Sequence, residues 1–378
     1  MSPERPRVML VGPFPPPYGG VSAITEQLAA SSLRERWTLI PLNISLAGEL
    51  RETGSEWKGI KVRKALVLLW RTVVTLWRER PQAGIVQMSG DLSFLRQWLV
   101  GLLIRLSGAR CIVYFHGSLK KGWRYYPFRS DRKPTLLARV LINCCFGSFH
   151  KVIFLSEKLL REFTPLLTIG NRNKSTWVEN FVRVGDFIPG NTQGDRKLTV
   201  LFVGRLSKVK GFFDLLEVIP EVVQHYPNVV FSVCGTYEHE TSLDPVREQI
   251  GNLERAGSLV LHGLVAGKAK QRVFAEADIL VFPSHVEIFP VAILEGMAQG
   301  IPVIATNVGV VDTVIHQPEN GILIDPGRTD QLTEAILYLL DHPDDRVNMG
   351  GANRKAAEAR FDIAVAVQRL SSIVEENV

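Results

Sequence analysis

The stretch Ile279-Leu280-Val281-Phe282-Pro283-Ser284-His285-Val286-Glu287-Ile288-Phe289-Pro290-Val291-Ala292-Ile293-Leu294-Glu295-Gly296-Met297-Ala298 reads as strand, loop and helix. Four apolar residues stop at Pro283-Ser284, and an apolar, helix-compatible run resumes after Pro290. A continuously apolar strand that feeds a helix is the repeating unit of a parallel sheet covered on both faces. Two carboxylates sit eight residues apart here, Glu287 in the loop and Glu295 inside the helix. Because two helical turns take about 7.2 residues, both can share one side across a helix N-terminus suited to a diphosphate. The plainer alternative makes Glu287 a complement to the helix dipole and Glu295 a surface residue.

The same rhythm runs outward in both directions. Downstream it recurs at Val303 to Ala305 and Ile322 to Ile324, and upstream at Thr199 to Val203, Val229 to Cys234 and Leu259 to His262. The first half repeats it at Val8 to Val11, Thr38 to Ile40, Ile85 to Gln87, Cys111 to Phe115 and Val152 to Leu155. The expected fold is therefore α/β, two Rossmann-like, doubly wound parallel-sheet domains. Gly185, Pro189, Gly190, Asn191 and Gly194 mark a junction, giving domains at 1–183 and 198–355 joined by 184–197. Residues 356–378 form a terminal helix expected to cross back to the first domain. Open parallel sheets bind ligands outside the carboxyl ends of their strands, so the expected site is a cleft between the domains.

The chain has 378 residues, 46% hydrophobic and 22% charged, enough for two cores. Apolar runs such as Gln97 to Ile104 fall short of the roughly 18 to 20 residues that span a bilayer, and no secretory h-region opens the sequence, so a cytoplasmic protein is expected. Cys111, Cys144, Cys145 and Cys234 lack metal or redox spacing and read as reduced thiols. The net charge of +6 hides an asymmetry, because residues 1–182 hold 27 basic against 12 acidic side chains and residues 183–378 hold 17 against 26. The two halves should meet different partners.

Three further loops follow strands. Gly12-Pro13 leads to Gly19-Gly20 ahead of a helix, where backbone amides can approach a ligand; the spacing is not G-x-G-x-x-G, which disfavours a dinucleotide. Phe115-His116-Gly117 places His116 at a strand end, as a ligand contact or as a buried structural histidine. Gly204-Arg205 with Lys210-Gly211 offers a guanidinium fork and a point charge for phosphate, the alternative being a solvated basic loop.

Taken in order, Gly12-Pro13 with Gly19-Gly20, His116-Gly117, Gly204-Arg205 with Lys210-Gly211, and Pro283-Ser284 with Glu287 and Glu295 resemble the GT-B retaining glycosyltransferases of family 4. Leu261-His262-Gly263, Ala277-Asp278, Gly300-Ile301-Pro302 and Asn320-Gly321 add to the resemblance, which covers nearly the whole chain and is strongest over 198–326. It implies a nucleotide-sugar donor, with Arg205 and Lys210 on the diphosphate, Glu295 on the ribose and Glu287 near the donor sugar and departing phosphate. It further implies His116 on the transferred sugar, Gly19, Gly20 and Gly204 in close approach, and Val265 on the base through its backbone. Phe289, Pro290 and Val291 fall on the donor-facing helix start, but Ile288-Phe289-Pro290 stands where Gly-Phe-Gly is frequent, and proline has no amide to donate. Gly309-Val310-Val311-Asp312 departs similarly from a Gly-Gly-x-x-Glu pattern. Fixed cations and a helix end can stabilise the leaving diphosphate, so no cofactor and no metal are expected.

Lys61 to Arg80 carries Val62, Ala65, Leu66, Leu69, Val73, Leu76 and Trp77 at helical spacing, with Lys61, Lys64, Arg71 and Arg78 on the other side and Trp70 and Trp77 near the edge. This fits an interfacial helix on an anionic membrane surface, or a sheet-covering helix with a solvated basic side. Lys120-Lys121-Gly122-Trp123 mixes basic and aromatic residues close to His116, as a loop meeting a lipid-linked or glycan acceptor would. Nucleic acid is disfavoured, since no nucleic-acid fold motif accompanies it. The leading expectation is a retaining hexosyltransferase of cell-surface polysaccharide synthesis at the inner membrane face. A nucleotide-sugar epimerase and a non-catalytic sugar-nucleotide binding module are the alternatives.

Overall fold

A computed structural model describes residues 5–16, 18–45, 56–89, 94–118, 136–189, 196–237 and 240–376, with the backbone alone for 56–62 and 240–242. The described chain forms two compact units, Met1–Asn180 with Ile363–Val378, and Phe181–Asp362.

In the first unit, strands β1 (Arg7–Gly12), β2 (Thr38–Asn43), β3 (Ala83–Ser89), β4 (Arg110–His116), β5 (Lys151–Phe154) and β6 (Ser175–Trp177) form a parallel sheet in the order β2-β1-β3-β4-β5-β6. Phe115, Phe146, Phe154 and Phe163 pack in its core with ring centroids 5.1 to 6.4 Å apart, several edge-to-face as ring quadrupoles prefer. The connections β2→β3→β4→β5 all advance in one direction. Right-handed crossovers therefore put the helices Glu56–Glu79, Phe94–Leu106 and Leu136–Gly147 on one face of the sheet. The Gly20–Ala29 helix, on the reverse step β1→β2, takes the opposite face and packs against the terminal helix Ile363–Glu375. Arg36 to Glu375, 3.0 Å, and Lys151 to Glu376, 3.6 Å, tie that helix down further.

The second unit repeats the plan with β7 (Leu198–Val203), β8 (Val229–Cys234), β9 (Leu259–Gly263), β10 (Ile279–Phe282), β11 (Val303–Thr306) and β12 (Gly321–Ile324), all parallel in the order β12-β11-β10-β7-β8-β9. Asp278 fixes its centre. Its carboxylate accepts from Thr199 N at 2.7 Å and from both Arg196 Nη atoms at 2.9 and 2.6 Å, pinning the start of β10 to β7. Such a bidentate, mostly buried pair is geometrically specific, unlike a surface ion pair.

The division differs in detail from the sequence expectation. Val184 and Phe187 are buried in the second unit, Phe187 edge-on to Phe274, so the first part of the expected junction belongs to that core. The return falls at Asp362/Ile363 instead of 356, because Phe361 is buried against Phe289 and keeps Ala357–Phe361 in the second unit.

The Glu56–Glu79 helix corrects a second expectation. Leu68, Thr72 and Leu76 face inward, while Leu66, Val73 and Trp77, expected on the covered side, are exposed together with Val67 and Trp70. The helix has two apolar stripes, and 66, 70, 73 and 77 form a complete one by themselves, so periodicity could not say which faced the sheet. Arg71 and Arg78 lie exposed among these residues and Lys64 is half-buried. Of Lys61 only the backbone is described, and Lys120, Lys121 and Trp123 lie outside the described residues.

Candidate functional site

In the second unit the sequence candidates collect at the carboxyl ends of β7, β9 and β10. Gly204 and Arg205 follow β7, and Lys210 closes the short turn Lys208–Lys210 before the Phe212–His225 helix. Lys210 Nζ donates to Glu287 Oε1, while Glu287 Oε2 accepts from the Ile288 amide at 3.3 Å. Each side chain of this pair is about one-fifth exposed, so the two charges are partly desolvated but reachable.

Neighbouring elements hold the Pro283–Ile288 loop from three sides. Ser284 Oγ donates to Val209 O at 3.2 Å, His285 N donates to Val209 O at 2.9 Å, and His285 Nε2 meets Asp214 Oδ2 at 2.7 Å. From the far side Val310 N donates to Ile288 O at 3.1 Å. Two glycines make this closeness possible. At Gly211 (φ +72°) a Cβ would stand 2.0 Å from Pro283 O, and at Gly309 (φ +61°) 2.4 Å from Glu287 O, so side chains are barred by both conformation and space. The loop is fixed before any ligand arrives.

The Val291–Gln299 helix starts at Pro290, extended at φ −76° and ψ 118°, without a side-chain cap. Its first amides are unmasked by any capping oxygen, but Phe289 has turned inward onto Phe361, 6.2 Å between centroids, leaving only its backbone to face a ligand. Glu295 is buried at 5% exposure, not the surface residue of the plainer alternative. Its Oε1 accepts from Lys270 Nζ at 2.5 Å. Thus the two glutamates each have their own lysine. Val265 lies half-buried just after β9.

In the first unit Gly19 and Gly20 follow β1 at the start of a helix. Among the described residues an added Cβ would meet nothing within 4 Å at Gly20 and only Ser22 Oγ, 3.9 Å away, at Gly19, so the chain itself does not demand either glycine. His116 ends β4, 7% exposed, its Nε2 donating to Oε1 of the fully buried Gln87. Burial holds the imidazole pKa down at about 3, so the ring is neutral at ordinary pH and acts only through hydrogen bonds.

That shift has a measurable consequence. Between pH 6.5 and about 3 the unfolded chain binds a proton that folded His116 refuses, so stability falls as pH falls. The contribution at pH 5 is about 2 kcal/mol, at roughly 1.4 kcal/mol per unit below the unfolded value. Urea unfolding at pH 7 and pH 5 should show a smaller acid loss in His116→Gln than in the wild type. Equal losses would mean the ring titrates normally.

Four neighbours escaped the sequence reading: Gln87, Asp214, Lys270 and His285. None stands in a spacing that signals a pair, since each partner lies between 25 and 71 positions away. Among the described residues no group of three or more His, Cys, Asp or Glu is placed to hold a metal ion.

Residues 186–356 match the family model for glycosyl transferases group 1. Spore coat protein SA of Bacillus subtilis is 31% identical over 189 residues, a match spanning 48% of this chain and 49% of that protein, about half of each. A GDP-mannose-dependent monoacylated alpha-(1-6)-phosphatidylinositol monomannoside mannosyltransferase of Corynebacterium glutamicum is 22% identical, with 99% of both chains covered. The structure of Anabaena HepE in complex with UDP-glucose superposes with a TM-score of 0.72 at 15% identity, covering 98% of this chain and 99% of that one. With two parallel six-stranded sheets the chain has the GT-B fold, and residues 186–356 of its second unit are similar to the glycosyl transferases group 1 family.

Proposed function

We propose that the protein transfers a hexose from a UDP- or GDP-sugar to a lipid-linked or glycan acceptor in polysaccharide or glycolipid synthesis. The observation that carries this reading is the Lys210–Glu287 pair, held at the carboxyl end of the second sheet by a loop braced on three sides. A diphosphate arriving there finds Lys210, Arg205 and the unmasked amides of the Val291–Gln299 helix. In the reaction the bond from the anomeric carbon to phosphate breaks with its electron pair going to the phosphate. The acceptor oxygen then bonds the same carbon from the same face, and its proton passes to the leaving phosphate. Such a same-face attack is the retaining outcome that the family resemblance implies. Neutral His116 cannot balance a leaving charge and is left to hydrogen bonding, and Gly19 and Gly20 leave open space at the start of their own helix.

The relatives support the reading in kind: one is a mannosyltransferase using GDP-mannose, and one structure holds UDP-glucose. The deciding experiment is a thermal-shift screen with UDP, GDP and ADP sugars, followed by mass analysis of products with membrane-lipid acceptors. Donor-dependent product with retained configuration is expected. Donor loss without acceptor would identify an epimerase, and binding without turnover across a broad acceptor panel a binding module. Because the leaving charge is met by Arg205, Lys210 and a helix end, activity should survive EDTA. Loss on chelation with recovery in magnesium or manganese would overturn the metal-independent part.

The same reading places the protein peripherally on the anionic inner face of the membrane. No helix among the described residues is long and apolar enough to cross a bilayer. Instead, the three helices on one face of the first sheet turn Trp70, Trp77, Leu99, Leu106, Leu137 and Val140 outward. Arg63, Arg71, Arg78, Arg105 and Arg139 are exposed with them, and Glu79, the acidic residue of these helices whose side chain is described, pairs with Arg7. Exposed tryptophan among arginines, with little acid, fits an anionic lipid interface.

A further inference from the structure

The two lysine–glutamate pairs of the second unit are not equivalent. Lys210 and Glu287 are similarly exposed, whereas in the other pair Lys270 is 26% exposed and Glu295 only 7%. Glu295 Oε1 accepts from Lys270, and Glu295 Oε2 is buried with no hydrogen-bond partner. Leaving an acceptor buried and unserved costs about 1 to 3 kcal/mol, more when it is charged, and native proteins keep few such groups. Lys270 is the counter-charge that keeps this carboxylate tolerable.

Its surroundings narrow its role. Lys270 stands in the Gly267–Ala275 helix that follows β9, and its charge also reaches Cys234 at the end of β8. Burial nevertheless pushes the Cys234 thiol up to about 12, so it stays neutral and does not compete as an anion. The ammonium is therefore committed to Glu295 alone among these two groups. It has three N–H donors, of which the carboxylate takes one. What the pair turns toward solvent is mainly this ammonium, and behind it the carboxylate keeps a buried oxygen that no protein group serves. A hydroxyl both donates and accepts, so a vicinal diol fits both atoms at once.

We infer that Lys270 is a positioning and specificity-determining residue, holding Glu295 in place and forming with it a joint reader of the donor's ribose diol. One hydroxyl donates to the Glu295 carboxylate, and its neighbour accepts from the Lys270 ammonium. This rests on the nucleotide-sugar reading and extends it to a residue on a different helix, one that the sequence does not single out.

Calorimetric titration with UDP and GDP, and with their 2′-deoxy and 3′-deoxy counterparts, tests it. The wild type should bind the better ribonucleotide about tenfold more tightly than its deoxy forms, the equivalent of one charge-assisted hydrogen bond. Lys270→Met should weaken the ribonucleotide about tenfold and shrink the deoxy penalty below about twofold. Lys270→Arg, which keeps the charge and the donors, should retain most of the penalty. Unchanged affinity and full penalty in Lys270→Met would reduce the pair to an ordinary ion pair and overturn the inference. So would a wild type that binds ribo and deoxy forms equally, or a Lys270→Arg variant that folds normally but has lost the penalty. If the wild type bound no nucleoside diphosphate at all, the donor reading itself would fall, and this inference with it.

Discussion

Lys210→Ala is expected to lower kcat/KM for sugar transfer by about thirty- to a thousandfold, a loss of roughly 2 to 4 kcal/mol in transition-state stabilisation, and Arg205→Ala to fall in the same range. Each change removes a cation from the place where negative charge grows on the departing diphosphate. Lys210 has a second effect that Arg205→Ala does not share. Its ammonium is the partner of Glu287, and alanine there leaves a carboxylate only one-fifth exposed, with its other oxygen held by a single long amide bond. That stranded charge would repel the diphosphate as well as miss its cation, so part of the loss in Lys210→Ala comes from Glu287. Glu287→Gln alone should lower kcat more than it raises KM, because the pair is needed most when the leaving charge appears. The double variant Lys210→Ala/Glu287→Gln should then be less impaired than the product of the two single losses, since neutralising Glu287 removes the repulsion. Steady-state kinetics on the four proteins give the answer. Near-normal kcat/KM in both Arg205→Ala and Lys210→Ala would remove the diphosphate from this loop.

The fold was legible because its central strands are buried on both faces. Val281 and Phe202 sit in apolar runs, and Pro283-Ser284 and Gly204 end those runs where the strands end. Ser175–Trp177 was invisible for the opposite reason: it is a three-residue edge strand, half-buried throughout, with no apolar run to mark it. At the site, sequence identified groups that follow strand ends, such as Arg205, Lys210 and Glu287, since loop position alone fixes their neighbourhood. It did not find what holds those groups. Lys270 meets Glu295 because the Gly267–Ala275 helix, crossing from β9 to β10, packs on the Val291–Gln299 helix, and Asp214 meets His285 because β7 and β10 are neighbours in the sheet; no local pattern encodes either pairing. The Glu56–Glu79 helix failed differently. Periodicity marked it as a helix with a sheet-facing stripe, but a helix apolar on two sides needs a further fact, the direction of the sheet, to decide which stripe is covered.

That correction sets the terms of the membrane experiment. If the outward stripe carries the attachment, a variant with Trp70 and Trp77 changed to Ser and Arg71 and Arg78 to Gln should lose vesicle affinity by on the order of 4 kcal/mol, nearly a thousandfold. Two of those kcal/mol come from the basic residues, at about 1 kcal/mol for each charge near an anionic surface. The remainder reflects the indoles, which are 66% and 73% exposed in the protein and regain burial only in lipid. The two parts separate by salt. Raising ionic strength shortens the Debye length and should weaken the wild type and the Trp variants alike, while the Trp contribution persists at high salt. Brominated lipids placed in anionic vesicles should quench wild-type tryptophan fluorescence, and the Trp70→Phe/Trp77→Phe variant should lose most of that quenching. Donor affinity should stay unchanged, since these side chains belong to the first unit and Arg205, Lys210 and Glu295 to the second. Concentration-dependent self-association that disappears with the tryptophans, and no vesicle binding, would instead make this face a contact between copies of the chain. Full vesicle binding by the quadruple variant would take the attachment away from the Glu56–Glu79 helix altogether.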